Sequence, residues 1–280
     1  MSQISAHNAR LRFAEIVSRP DEQINLAEAA LLIAAEEYPR LDVDRYLEKL
    51  DRFGDTARAH AADASTPLDM ITAVNVTMFE ELGFRGNRES YYDPRNSFLN
   101  EVIDRRTGIP IALTVVYIEV AMRIGFAVSG VGMPGHFIAK HESENGDIFV
   151  DPFNDGRILE TLACSELVSE TTGGALELEP DHLVAVTNKH ILTRMLSNLL
   201  GVYGGTDQRR ALAAIDRILL LAPDSPKHVR DRGLLLAELG ATGKAIDELE
   251  RYLELAPNAR DTEAIREQIT SIRKSKARLN

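Results

Sequence analysis

Residues 108–125 read Gly-Ile-Pro-Ile-Ala-Leu-Thr-Val-Val-Tyr-Ile-Glu-Val-Ala-Met-Arg-Ile-Gly. The stretch is strongly apolar from Ile111 to Ile124, with a proline just before it and a glycine directly after it. Proline is favoured in the first turn of a helix and glycine just past the last turn, so this pattern predicts a single helix. Because apolar residues of this kind are usually buried, we expect it to be the central helix of its domain.

Three short segments with strand character follow the predicted helix. They cover residues 127–132, 136–141 and 147–151, and the last two are joined by a polar stretch that ends in Asn145-Gly146. An Asn-Gly pair between such segments is typical of a β-hairpin turn. A helix followed by antiparallel strands indicates an α+β domain.

The last third of the chain contains a repeat that can be counted directly. The triplet Leu-Ala-Pro at 221–223 recurs at 255–257, and the same shift of 34 residues relates Ala211 to Ala245. A 34-residue period of paired helices, with small residues where helices cross and a proline after the second helix, is typical of tetratricopeptide repeats. With fewer than three full units, the array should depend on the rest of the chain for stability.

Composition and charge limit the classes of function. With 44% hydrophobic and 27% charged residues, the chain of 280 residues should fold throughout. A formal net charge of −11 argues against a nucleic-acid partner, which needs clustered lysine and arginine. No apolar run approaches the roughly 20 residues that span a bilayer. A single cysteine agrees with a reducing compartment, so we expect a cytoplasmic protein without a membrane partner.

The histidines give little support for a metal site. The chain has seven histidines and one cysteine, Cys164, and it contains no His-Glu-x-x-His pair. A zinc site with several thiolates is excluded within one chain, and most of the histidines lack an acidic or cysteine partner at ligand spacing. We therefore expect no metal and no cofactor.

His136 and Asp151 carry the strongest signal for chemistry. His136 begins one predicted strand, and Asp151 ends the next strand 15 residues later. If these strands pair, the carboxylate can orient the imidazole and stabilise its protonated form, which is two thirds of a nucleophilic triad. On spacing alone, the alternative is a histidine hydrogen bonded in the interior, with Asp151 capping the turn before Pro152.

Four sequence blocks resemble those of a known family. They are Tyr-Tyr-Asp-Pro-Arg-Asn-Ser-Phe-Leu-Asn at 91–100, Arg-Arg-Thr-Gly-Ile-Pro-Ile at 105–111, Gly-Val-Gly-Met-Pro-Gly-His-Phe at 130–137, and Asp-Pro-Phe-Asn at 151–154. Together they resemble a bacterial transglutaminase-like family with a tetratricopeptide-type tail, often described as a regulator of an invasion-gene activator. The resemblance extends from about Leu68 to the C-terminus, and a eukaryotic F-box protein carries a similar domain.

The resemblance implies an α+β fold of the papain/transglutaminase type with a small antiparallel sheet, followed by an all-α tetratricopeptide-like region. Residues 6–83 also show helical spacing. We therefore expect an N-terminal helical region at 1–65, the transglutaminase-like domain at 66–180 and the tetratricopeptide-like region at 181–280.

The same resemblance implies roles for individual residues. In transglutaminases and papain-like proteases, a cysteine at the start of the central helix attacks an amide or ester, activated by a histidine and then an aspartate on later strands. By this order, His136 and Asp151 occupy the histidine and aspartate positions. The helix, however, begins with Pro110, Ile111 and Ala112. None of these three side chains can act as a nucleophile.

Two other residues could in principle replace the missing cysteine. Cys164 follows both partners in the chain, and we expect it to be a buried or half-buried thiol. Thr114 lies one turn further along the helix, where its hydroxyl should bond to a preceding carbonyl. The resemblance therefore implies a transglutaminase-like protein without its nucleophile.

Two functions remain open. The first, which we favour, is a binding, scaffold or regulatory protein that recognises a protein or peptide through the helical tail or through a cleft near the helix start. Its candidate lining residues are Tyr91, Tyr92, Asp93, Arg95, Asn96 and Pro110. For Asp93 to Asn96, a tight turn held by an Asp–Arg pair is the alternative. The second function is a hydrolase or transferase in which His136 and Asp151 act on water as general base and orienting group.

Overall fold

Helices form most of this chain, and one small antiparallel sheet lies between them in the sequence. The computed structural model describes residues 6–144 and 146–279. The chain divides into two units, Met1–Met195 and Leu196–Asn280. The α+β class with an all-α C-terminal region is confirmed. The three-part division at residues 65 and 180 stays a prediction.

The described part of the chain begins with four α-helices. They are α1 (Ala6–Val17), α2 (Leu26–Glu37), α3 (Val43–His60) and α4 (Pro67–Asn75), and α4 continues into a π-helical turn at Val76–Glu81. Helices α2, α3 and α4 each begin after a side chain that accepts a hydrogen bond from a backbone N–H of the first turn, namely Asn25, Asp42 and Thr66. These caps pair donors that the helix itself leaves free, so they define where the helices start.

A pair of two-residue strands packs against the central helix α6 (Pro110–Arg123), and the second of them ends just before the helix begins. These are β1 (Arg85–Gly86) and β2 (Thr107–Gly108), which pair in parallel on either side of the short helix α5 (Leu99–Arg105). Eleven of the 14 residues of α6 are buried. The structure thus confirms the buried central helix that the apolar stretch predicted.

The main sheet has five antiparallel strands in the order β6-β5-β4-β3-β7. They are β3 (Ser129–Met133), β4 (His136–His141), β5 (Ile148–Asp151), β6 (Arg157–Leu159) and β7 (Ala185–Val186). The first three match the predicted strand segments. The pairing of β4 with β5 is antiparallel, as the hairpin pattern predicted, although Asn145 of the connecting turn lies outside the described residues.

One face of this sheet packs against α7 (Thr161–Thr172). In the register of β3 with β4, Met133 is opposite His136 and Val131 is opposite Ile138. Val131, Met133, Ile138 and Phe149 form a cluster with Cys164 and Val168 of α7. Side chains alternate between the faces of a strand, so His136 shares the face of Ile138, and Asp151 shares that of Phe149. His136 and Asp151 therefore lie on the same face.

In the second unit, the described residues form helices and connecting turns and no strand. The described helices are α8 (Asn188–Tyr203), which begins in the first unit, then α9 (Gln208–Leu221), α10 (Pro226–Glu238), α11 (Thr242–Leu255) and α12 (Thr262–Leu279). Its core contains Ile215, Val229, Ala245 and Leu249. Small residues at the helix crossings and the 34-residue period agree with the predicted tetratricopeptide-like region.

None of the helices in the described part of the chain combines the length and the apolar character needed to cross a membrane.

The crossing of α10 and α11 leads to the first prediction. A Cβ atom at Gly233 would lie 2.8 Å from the Cγ atom of Leu249 and 3.2 Å from its backbone nitrogen. Gly233→Ala should therefore lower the free energy of unfolding by about 1–3 kcal/mol, measured by urea denaturation. Gly243→Ala is the matched control, because nothing lies within 4 Å of a Cβ there. It should raise stability by up to about 1 kcal/mol through helix propensity. Equal effects of the two substitutions would contradict the tight crossing.

Candidate functional site

His136 and Asp151 meet where β4 begins and β5 ends. The Nε2 atom of His136 lies 3.0 Å from Oδ2 of Asp151, and the two side chains are 4% and 1% exposed. The second carboxylate oxygen, Oδ1, accepts the backbone N–H of Phe153 at 3.0 Å, and Asn154 donates its Nδ2 to Oδ2 at 2.6 Å. When Nε2 of the imidazole carries the proton, it donates to the carboxylate and leaves Nδ1 as an acceptor.

The hydrogen bonds determine the charge of this carboxylate. Burial raises the pKa of Asp151, but donation from His136, Asn154 and the backbone N–H of Phe153 outweighs burial, and the pKa lies below its ordinary value. Hydrogen bonds to a charged form favour that form. Asp151 is therefore an ionised carboxylate at neutral pH.

Local backbone geometry positions both residues. Asp151 caps a 3₁₀ turn at Pro152–Asn154, in which proline occupies the first position. Before His136, Gly135 has a φ of 73°, and a Cβ there would lie 2.7 Å from Oγ1 of Thr171 on α7. Only glycine takes this conformation at no steric cost, so Gly135 allows the chain to turn tightly from β3 into β4.

The start of α6 offers no nucleophile. Pro110 is buried, Ile111 is 2% exposed and Ala112 is 0% exposed. Thr114 donates its hydroxyl to the carbonyl of Pro110 at 2.9 Å, the bond to a preceding carbonyl that the sequence predicted. Its Oγ1 also lies 3.4 Å from the carbonyl oxygen of Phe137, so α6 reaches the strand backbone directly after His136.

Cys164 lies in the cluster on the same face of the sheet as the His136–Asp151 pair, but its thiol is not activated. The residue is 0% exposed, in agreement with the expected buried thiol. Burial raises the pKa of Cys164 to about 11, and the negative charge of Asp151 also raises it. A protonated, inaccessible thiol is a poor nucleophile, because the thiolate is the reactive form.

A ladder of four rings extends from the protein surface to the imidazole. We call Tyr92, Tyr91, Phe153 and His136 the aromatic ladder. Successive ring centroids are 5.4, 6.3 and 5.9 Å apart, each pair edge to face. Tyr92 is 80% exposed, whereas Phe153 is 9% exposed. Arg88 lies 5.3 Å from the centroid of the Phe153 ring and donates to Oδ1 of Asn154. The ladder therefore closes the approach to His136 from this side.

The remaining candidate residues hold the loop that carries the two tyrosines. Asp93 accepts the backbone N–H of Arg95 at 2.9 Å and pairs with its guanidinium at 2.6 Å, which is the Asp–Arg turn considered as the alternative. Asn96 is 0% exposed and donates to the carbonyls of Ser90 and Tyr91 at 2.7 and 3.3 Å. Its Oδ1 accepts from Asn87 at 3.0 Å. Any binding role for Asp93, Arg95, Asn96 or Pro110 stays a prediction.

Individual roles for the residues that surround the pair could not be predicted from the sequence. Phe153 and Asn154 belong to the Asp-Pro-Phe-Asn stretch at 151–154. Their contacts with the carboxylate of Asp151, however, depend on the 3₁₀ turn. Arg88 meets Asn154 across 66 residues of chain, which no local pattern indicates. Among the residues that the structure describes, no group of three histidine, cysteine, aspartate or glutamate side chains is placed to hold a metal ion.

Comparison with known proteins places this site in context. A model of the transglutaminase-like superfamily matches residues 44–197, and a tetratricopeptide-repeat model matches residues 205–270. A protein of Xylella fastidiosa (strain Temecula1) named UPF0162 protein is 40% identical over 259 residues, which cover 90% of this chain and 91% of the relative. A UPF0162 protein of Vibrio cholerae is 28% identical over 228 residues, which cover 81% of this chain and 83% of the relative.

More distant similarities extend beyond these relatives. Human F-box only protein 21 is 31% identical over 61% of this chain, a stretch that is 28% of the F-box protein. A crystal structure of menin, described as revealing the binding site for the Mixed Lineage Leukemia (MLL) protein, superposes with a TM-score of 0.53 at 12% identity. The superposed region covers 91% of this chain and only 62% of the menin chain. At that identity, the likeness establishes a shared fold and nothing further.

The second prediction concerns Asn96. Asn96→Ala should lower the free energy of unfolding by about 2–4 kcal/mol, because it removes a buried carboxamide that is hydrogen bonded to Asn87 and to the carbonyls of Ser90 and Tyr91. Glu89→Ala, at an exposed position in the same loop, is the control and should change stability by less than about 0.5 kcal/mol. Chemical denaturation of both variants measures the difference. A loss for Asn96→Ala no larger than the control would contradict its role as the centre of the loop.

The third prediction is a pH dependence that follows from Asp151. Because its folded pKa lies below the unfolded value near 4, the carboxylate stabilises the fold above that value, and this stability is lost as the pH falls through the folded pKa. The melting temperature of the wild type should therefore fall more steeply below about pH 4 than that of Asp151→Asn. Asp155→Asn, an exposed substitution in the next turn, should keep the wild-type slope. Identical slopes for all three proteins would refute this assignment.

Proposed function

The chain belongs to the transglutaminase-like superfamily, and we propose that it is a binding protein that recognises a protein or peptide without covalent chemistry. The observation that carries this proposal is the start of α6, where Pro110, Ile111 and Ala112 are all buried. Covalent catalysis needs a thiol or hydroxyl within reach of the imidazole. The helix end that would carry this group presents apolar packing residues.

The burial of His136 supports the same conclusion. A general base must come within hydrogen-bonding distance of the proton that it removes. His136 is 4% exposed, and Phe153 and Tyr91 lie between it and the exposed Tyr92. A peptide bond or ester has no open approach from this side.

The exposed end of the aromatic ladder suits recognition. Tyr92 is 80% exposed and rests edge to face on Tyr91, which is 38% exposed. Tyrosine is enriched among the residues that contribute most to protein–protein binding, because its ring buries a large area and its hydroxyl can still hydrogen bond. In this proposal, Tyr91 and Tyr92 contact the partner, while Asp93, Arg95 and Asn96 keep their loop in shape.

The helical tail supplies a second surface. Stacked tetratricopeptide repeats commonly present a concave face to peptides and proteins. The solved structure of menin, which has a similar fold, is described by its binding site for the MLL protein. That description concerns menin, and for this chain it supports protein recognition as a role that such a fold can perform.

The proposal includes a regulatory role, because a protein that binds without catalysis acts through the activity or availability of its partner. The regulation of an invasion-gene activator, to which the family resemblance pointed, is one form of such a role. The cytoplasmic location stays a prediction that rests on the sequence.

A second candidate function is a hydrolase or transferase that uses His136 and Asp151 without a cysteine. The observation in its favour is the preserved pair, since Asp151 is ionised and orients the imidazole as a general base requires. For a substrate to reach the ring, Phe153 and Tyr91 would have to move aside.

An activity measurement separates the two candidates. Amine incorporation into a glutamine peptide and hydrolysis of an aryl ester are measured with purified wild type and His136→Ala. We expect wild type to match both the variant and the buffer blank. Turnover by the wild type that His136→Ala abolishes would overturn the non-catalytic proposal and establish the second candidate.

The fourth prediction tests the binding surface directly. Peptides are selected from a random library on the full-length protein, and their dissociation constants are measured by fluorescence anisotropy. Tyr92→Ala should weaken binding of the selected peptides at least about 10-fold, as expected for a central aromatic contact. Met122→Ala is the control, because Met122 is 58% exposed near the other end of α6 and should leave binding within about two-fold. Equal behaviour of the two variants would rule out the aromatic ladder as the docking site.

A further inference from the structure

Arg88 lies beside the aromatic ladder and is held there by two neutral groups. Its guanidinium carbon lies 5.3 Å from the centroid of the Phe153 ring, and its Nη2 atom donates to Oδ1 of Asn154. Asn154 is itself fixed, because its Nδ2 donates to the buried carboxylate of Asp151 at 2.6 Å. Arg88 is nevertheless an exposed residue. An ordered cation is therefore presented at the surface beside the tyrosines of the ladder.

The remaining donors of this guanidinium define what it can bind. A guanidinium has several N–H donors in one plane and no acceptor. One of them donates to Asn154, and the contact with the Phe153 ring uses the face of the plane rather than a donor. A carboxylate suits the others, because it can accept two parallel hydrogen bonds from one arginine.

A second arginine adds positive charge to the same surface. Arg194 of α8 is half-buried and lies close enough to Tyr91 to act on its hydroxyl. Burial raises the pKa of Tyr91, and the charge of Arg194 opposes that rise. Within residues 6–144 and 146–279, no carboxylate forms an ion pair with Arg88 or Arg194. Both charges are thus available to a partner.

The acidic groups nearby do not cancel this charge. The loop at 85–96 contains three arginines and two acidic residues. One of the two acids, Asp93, is already in an ion pair within the loop, which leaves Glu89 as the exposed acid. In the turn after Asn154, Asp155 and Arg157 are both exposed and of opposite charge. The chain as a whole has a formal charge of −11, so this positive surface is a local exception.

We propose, on the basis of the proposed recognition of a peptide through Tyr91 and Tyr92, that the partner segment is acidic. An aspartate or glutamate carboxylate of the segment forms a fork of hydrogen bonds with Arg88, and a neighbouring apolar side chain of the segment packs on Tyr92. Arg194 attracts the same carboxylate at longer range. Tyrosine and arginine are among the residue types that contribute most to protein–protein binding, and here they occur side by side.

The test begins with peptides selected on the full-length protein from a random library. The peptides carry a C-terminal amide, so that only side chains supply carboxylates. Among peptides whose binding depends on Tyr92, aspartate and glutamate should be enriched over the unselected library. Because the chain is acidic overall, non-specific attraction would instead favour basic peptides.

Substitutions on both sides then locate the contact. Arg88→Gln should weaken binding of these peptides roughly 3–10-fold in fluorescence anisotropy, as expected for loss of a partly shielded, charge-assisted hydrogen bond. Arg88→Lys keeps the charge but loses the fork, so its effect should be smaller. Changing the acidic peptide residue to its amide should weaken binding to the wild type equally, but by less than about two-fold in Arg88→Gln, because the two groups act through each other.

Arg52→Gln is the matched control. It removes an exposed arginine of α3 and changes the net charge of the chain by the same amount. Its effect on binding should stay within about two-fold, because exposed charges beyond the Debye length are screened.

The possible outcomes separate this proposal from the proposed function. Peptides that depend on Tyr92 but show no enrichment of acidic residues would overturn the acidic partner and leave peptide recognition intact. Equal binding to Arg88→Gln and Arg52→Gln would do the same. If Tyr92→Ala leaves all selected peptides unaffected, the proposed docking site fails, and the acidic partner fails with it. The peptide substitution on the wild type needs no change in the protein, so it decides the question even if Arg88→Gln were unstable.

Discussion

The burial of α6 is the constraint on which the first unit depends, and one ionic group within it connects three helices. Glu119 of α6 is 2% exposed and accepts the backbone N–H of Ala27, near the start of α2, at 3.0 Å. Arg123, one turn later, donates to Glu119 at 2.6 Å and to Asp51 of α3 at 2.8 Å. Burial raises the pKa of Glu119 above its ordinary value, and the charge of Asp51 adds to this, although hydrogen bonds from Arg123 and from the backbone of Ala27 favour the charged form. A buried polar group is stable only when it is hydrogen bonded, so these contacts tie α2 and α3 to α6.

A separate hydrogen-bond network explains why the His136–Asp151 pair can persist without a nucleophile. The carboxylate of Asp151 accepts hydrogen bonds from His136, from Asn154 and from the backbone of Phe153. Asn154 in turn binds Arg88 in the loop that carries the tyrosines. Loss of the carboxylate would leave buried donors unpaired, which is costly whether or not any reaction occurs. Structural need alone is sufficient to keep both side chains.

The parts of the fold with a strong local pattern could be predicted from the sequence. The continuous apolar stretch of α6, the Pro110 start and the strands from Ser129 to Asp151 all have short-range signals. The strands β6 and β7 have three and two residues, too few for an alternating pattern to be recognised. At the site, proximity of His136 and Asp151 followed from hairpin pairing, but the closure by Phe153 and Tyr91 did not. That closure depends on contacts between segments about 60 residues apart in sequence, as does the pairing of Arg88 with Asn154.

The two edge strands of the main sheet also affect how a partner can be recognised. An exposed edge strand offers unpaired backbone groups to which an extended peptide can add as a further strand. Here the outermost strands are Arg157–Leu159 and Ala185–Val186, so each edge presents at most a few such groups. Strand addition in register would need a longer edge to give stable pairing. Specificity for any partner of this unit must therefore come from side chains rather than from backbone pairing. The short edge strands also protect the sheet against self-association.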